Sequence, residues 1–115
     1  LHEAFRLYAA GIASAEDIDT TVKDGLGLRW SFMGPFETID LNAPGGLSDY
    51  CARYGGLYQS IGQEQCETPE WSAALVAAID QERREQLPLQ ALHERRLWRD
   101  EKLMQLMRHK QGNGD

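Results

Sequence analysis

The chain has 115 residues, 42% of them apolar, with twelve basic against eighteen acidic side chains and a formal net charge of −6. That length and composition suit one folded domain with one core and disfavour a disordered chain. The acidic balance disfavours a nucleic-acid partner or an anionic membrane surface, and no apolar run is long enough to span a bilayer.

Leu1, Ala4, Phe5, Tyr8 and Ala9 keep helical spacing, which predicts a first helix from the start to about Ala10, stopped by Gly11. No capping residue precedes it, and residue 1 is leucine rather than methionine. The chain therefore reads as a fragment of a longer protein. Ser14 followed by Asp17 marks a second helix start, with Ile18 and Val22 as its stripe and Gly25 as its end. Residues 1–24 thus read as a helical hairpin. Leu28 to Met33 forms a helical turn or two. Gly34-Pro35 breaks the chain and places Pro35 first in the next helix, where Phe36, Ile39 and Ala43 face inward. Pro44-Gly45-Gly46 is a further break.

Leu47 to about Ile61 is predicted helical, with a kink possible at Gly55-Gly56. Thr68 as cap and Pro69 at the first position start the following helix, whose stripe is Trp71, Leu75, Ala78 and Ile79 and whose end is Pro88. The last helix runs from about Gln90 to His109, and the tail beyond it frays. No segment alternates apolar and polar residues, so the predicted class is all-α, one helical domain over residues 1–115.

Little catalytic chemistry is visible. A dinucleotide fingerprint needs three glycines between a strand and a helix. In GLGLRW the third glycine is replaced by Trp30, and no strand lies ahead. His2, His93 and His109 lie far apart and no ligand cluster surrounds either cysteine, so no metal site is expected. Two cysteines are too few for a disulfide scaffold, and no leader resembles a signal peptide. Free thiols in a reducing, cytoplasmic setting are expected, with Cys51 a small core residue. Asp17, Asp19, Asp24, Glu37 and Asp40 sit at helix starts, where capping and the helix dipole explain them.

In the last helix, ERRLWRDEK reads as a solvated, ion-paired face. The apolar set Leu92, Leu97, Trp98, Leu103, Met104, Leu106 and Met107 is wider than one stripe. It suits burial against a partner subunit, against a further domain, or within this domain.

Arg29 stands out within the apolar, glycine-punctuated segment GLGLRWSFMGPFETIDLN. A half-buried guanidinium needs an anion, because stranding it costs about several kcal/mol. Its partner is an internal carboxylate (Asp24, Glu37 or Asp40) or the acidic group of a ligand, which its planar fork would hold with two hydrogen bonds.

The stretch GLGLRWSFMGPFETIDLNAPGGLSDYCARY resembles the C-terminal helical domain of the 3-hydroxyacyl-CoA dehydrogenase family, MGPFE being the shared family element. GLRW, LNAPGG, the opening EAFRLYAAGIASAEDID and the tail RRLWRDEKLMQL are more similar to its L-gulonate 3-dehydrogenase (lambda-crystallin) branch. The resemblance covers nearly the whole chain and is weakest over residues 63–92. It implies a helical dimerisation domain of the 6-phosphogluconate dehydrogenase C-terminal-like type and a homodimer. It also implies an NAD-dependent oxidoreductase whose N-terminal Rossmann domain holds the cofactor and a catalytic histidine–glutamate pair, with an asparagine just ahead of the first helix here. Those parts would lie outside this chain, leaving a fragment that binds no cofactor and is inactive alone. By the same resemblance Arg29 contacts the carboxylate of a small anionic 3-hydroxy acid such as L-gulonate, and Trp30, Met33 and Pro35 wall the pocket. The reading from a different class is a helical interaction or structural module with no substrate role.

Overall fold

In the computed structural model, residues 1–66 and 69–112 are described, and among them there are helices and turns but no strand. The all-α expectation holds. The first helix, α1 (His2–Ala9), closes on Gly11 as predicted. Gly11 takes φ +70°, the Ile12 N–H donates to the Leu7 carbonyl and the Gly11 N–H to the Tyr8 carbonyl. This is a Schellman close, and the left-handed residue it needs is glycine. α2 (Ala15–Thr21) starts where Ser14 predicts, with Ser14 Oγ accepting the Asp17 N–H at 3.0 Å. Its second amide, Glu16 N–H, donates to Glu82 Oε1 at 3.0 Å, so two side chains satisfy the first turn.

α2 does not stop at Gly25. It passes through a π turn, Val22–Leu26, and resumes as α3 (Gly27–Trp30). Gly25 absorbs the change with φ −104° and ψ −111°, and the Gly27 N–H reaches back to the Val22 carbonyl. A Cβ at Gly27 would lie 2.7 Å from that oxygen, so the turn requires glycine there. Pro35 opens α4 (Pro35–Asp40), as expected from Gly34-Pro35. Phe36, however, is 74% exposed, and the inward residue is Thr38, 5% exposed. Thr38 Oγ1 donates to the Gly34 carbonyl at 2.7 Å, which lets a polar side chain occupy the buried position.

α5 (Gly46–Glu64) is one continuous helix through Gly55-Gly56, without the kink the glycine pair suggested. Thr68 lies outside the described residues. α6 (Ala73–Gln86) begins after Pro69, with Ser72 as its cap: Ser72 Oγ accepts the Leu75 N–H at 3.2 Å. A short 3₁₀ turn, Leu89–Ala91, leads into α7 (Leu92–Gly112).

The chain forms two compact units. One contains Leu1, Glu3–Asp19 and the chain from Glu70 on. Here Phe5 stacks on Trp71, centroids 4.3 Å apart and planes 11° from parallel. Ala4, Phe5, Tyr8, Ile18, Ile79 and Arg83 are among the residues that line a mostly apolar cleft in this unit. The other unit contains His2 and Thr20–Pro69. Among the described residues no hydrophobic side chain is fully buried. Cys51, expected in the core, is exposed, and both cysteines are free thiols.

Candidate functional site

Arg29 sits in the second unit, on the single-turn helix α3, immediately after the glycine-built π turn. Its side chain is exposed. None of the ion pairs among the described residues involves it. The three carboxylates nearest in sequence have other surroundings. Asp24 lies 4.0 Å from Lys23 Nζ. Asp40 Oδ1 accepts the Leu47 N–H at 2.8 Å. Glu37 is exposed in the first turn of α4. Trp30 (51% exposed) and Pro35 are on the surface, and Met33 is half-buried in the turn between α3 and α4.

On α5 of the same unit, Tyr50, Tyr54 and Tyr58 form a ladder at intervals of four residues. The Tyr50 and Tyr58 hydroxyl oxygens are 2.8 Å apart, and the Tyr50 and Tyr54 ring centroids are 4.8 Å apart with planes tilted by 53°. The hydrogen bond with Tyr58 pushes the Tyr50 hydroxyl above its ordinary pKa, burial adds to the rise, and the positive charge of Arg29 opposes it. Their regular four-residue interval in the sequence is the signal that marks them as a set.

Among the described residues no group of three or more His, Cys, Asp or Glu side chains is arranged to hold a metal ion. No helix among them is long and apolar enough to cross a membrane. A dinucleotide site of the glycine-fingerprint kind needs a strand leading into its turn, and the GLG segment here follows a helix. The described residues do not form that fingerprint.

The features that survive are an all-helical body, a glycine-shaped turn presenting an arginine and the MGPFE element at a helix start. The family described as 3-hydroxyacyl-CoA dehydrogenase, C-terminal domain, matches residues 1–88. The chain belongs to that family. It is similar to lambda-crystallin of Oryctolagus cuniculus, 41% identical over 112 residues, covering 96% of this chain and 35% of that protein. The lambda-crystallin homolog of Homo sapiens matches at the same identity and coverage. L-carnitine dehydrogenase of Pseudomonas aeruginosa is 31% identical over 106 residues, 91% of this chain and 33% of that protein. The chain spans about a third of the length of these curated relatives. Because the lambda-crystallin match covers 96% of the chain, it continues past residue 88 into the α7 tail.

Proposed function

We propose that this chain is the substrate-side and dimerisation part of an NAD-dependent dehydrogenase acting on a small 3-hydroxy acid such as L-gulonate. The observation that carries the reading is Arg29: an exposed guanidinium without an ion-pair partner among the described residues, while Asp40 is engaged by a backbone amide and Asp24 lies beside Lys23. Its fork holds a carboxylate with two charge-assisted hydrogen bonds and so orients the neighbouring hydroxyl-bearing carbon. Trp30, Met33 and Pro35 flank that anion on the apolar side. The similarity to an L-carnitine dehydrogenase supports an oxidoreductase of hydroxy acids. The redox chemistry belongs to NAD and to groups outside these 115 residues.

The test is Arg29→Met in the full-length enzyme. The expected result is a rise in KM for the anionic acid of about ten- to a hundredfold, as loss of one charged contact implies, with helix content unchanged. Wild-type kinetics in that variant would overturn the ligand role. The exposed apolar residues of α7 also favour the second reading, an interaction module with no substrate role. Full-length protein that oxidises no hydroxy acid with NAD would favour it over the enzyme.

A further inference from the structure

We propose that the elbow between α6 and α7 is a binding site for a small polyanion, a metabolite carrying two or more phosphate or carboxylate groups. The site does not depend on the Arg29 reading, since its residues lie in the unit that does not contain Arg29.

Arg83, Gln86, Leu87 and Arg95 line a cavity of about 280 Å³ at this elbow. Leu92, Arg95, Arg96, Trp98 and Arg99 line a second, of about 270 Å³. Arg95 lines both, so the two cavities adjoin. Their walls hold four arginines and no acidic side chain, in a chain whose net charge is −6. A cleft lined by one sign of charge concentrates ions of the other. The carboxylates around the elbow do not fill this role. Glu82 accepts the Glu16 N–H at 3.0 Å, and Asp80 lies 3.5 Å from Arg84 Nε. Glu85 and Glu94 are exposed and line neither cavity. Asp100 pairs with Arg99 at 2.8 Å, which leaves Arg83, Arg95 and Arg96 without an ion pair among the described residues.

Two of the three unpaired guanidiniums are already held in place. The Arg95 guanidinium carbon sits 3.5 Å from the centre of the Trp98 ring, so its face is covered while the N–H donors on its rim stay free. Arg83 donates from Nη1 to Gln86 Oε1 at 2.6 Å, which leaves Nε and Nη2 for a ligand. Helix polarity accounts for Arg83, which lies in the last turn of α6, where a cation is favoured. It does not account for Arg95 and Arg96. These are the fourth and fifth residues of α7, toward the positive end of that helix, where an anion is favoured instead. A single oxyanion neutralises one guanidinium. A ligand with several oxyanion groups spans both cavities and meets all three, each through charge-assisted hydrogen bonds.

The experiment is calorimetry on the full-length protein, with citrate and inorganic tripolyphosphate as probes and sulfate as the single-group control. The expected result is that at least one probe binds at least tenfold more tightly than sulfate. Arg83→Gln and Arg95→Gln should each weaken it by about ten- to a hundredfold, and Arg96→Gln by about three- to tenfold. Lys23→Gln, which removes one positive charge from the other unit, should change it by less than about twofold. Tighter tripolyphosphate identifies a phosphate-bearing ligand, and tighter citrate a polycarboxylate. Helix content is checked for every variant; if the half-buried Arg83 change disturbs folding, the exposed Arg95 and Arg96 decide the outcome. Neither probe exceeding sulfate, or losses at the elbow no larger than in Lys23→Gln, overturns the proposal.

Discussion

Asp40 reaches across the α4–α5 turn to accept the backbone N–H of Leu47 at 2.8 Å. Leu47 is the second residue of α5, and its amide is one that a helix cannot satisfy internally. The cap comes from seven residues upstream because Gly46, at φ +77°, bends the chain so tightly that a Cβ there would lie 2.8 Å from Asp40 Oδ1. The contact also occupies one of the carboxylates that could have neutralised Arg29. Asp40→Ala is expected to destabilise the chain by about 1 kcal/mol, and Asp40→Asn, which keeps an acceptor, by less. Urea unfolding of the two variants checks the order.

The glycines separate into required and replaceable positions. Gly27→Ala drives a methyl to 2.7 Å from the Val22 carbonyl and is expected to destabilise by about 1–3 kcal/mol. Gly55 and Gly56 lie inside α5 with nothing within 4 Å of an added Cβ. Gly55→Ala and Gly56→Ala are expected to stabilise by about 0.5–1 kcal/mol each. Thermal unfolding should move in opposite directions for the two classes.

Acid should weaken the start of α5. Arg53 holds the Asp49 carboxyl below its ordinary value of 3.8, and the Gly45 N–H donates to it as well. A carboxyl whose pKa is depressed in the fold stabilises it above that ordinary value, and the gain is lost as pH falls through the lowered one. Asp49→Asn should therefore be less stable than wild type near neutral pH, with the difference shrinking as pH falls below 3.8. Unfolding midpoints across that range measure the slope.

α7 carries the test of self-association. Leu97, Leu103, Met104 and Met107 are 49–59% exposed, and their spacing puts them on one side of the helix. With the proposed dimer, Met104→Glu combined with Leu97→Glu should convert full-length protein to monomer in light scattering while preserving helix content. A wild-type monomer at high concentration would count against this face as the self-interface.

The helical class and most breaks were legible because glycine, proline and serine act locally: Gly11, Ser14 and Gly34-Pro35 each did what their chemistry dictates. What was missed depended on local backbone geometry, on exposure, or on contacts that residue type alone does not announce. Gly25 looked like an end, but its neighbour Gly27 lets the Val22 carbonyl close a π turn. Phe36 looked like core by apolarity, yet Thr38 took the buried place because Gly34 offers its hydroxyl an acceptor. Ser72 caps α6, three residues past Pro69, and Trp71 ahead of it stacks on Phe5. At the candidate site Arg29 was conspicuous as a charge among apolar residues. The paired tyrosine hydroxyls were not, since no single-residue property announces a contact eight positions apart.

The π turn before α3 has a consequence for how such chains diversify. One surplus residue in a helical turn advances the backbone by about 100° of rotation. Deleting a single residue within Val22–Leu26 would leave Arg29 in the sequence while swinging its guanidinium toward another quarter of the surface. The length of this turn alone, with Arg29 retained, sets the direction in which its guanidinium is presented.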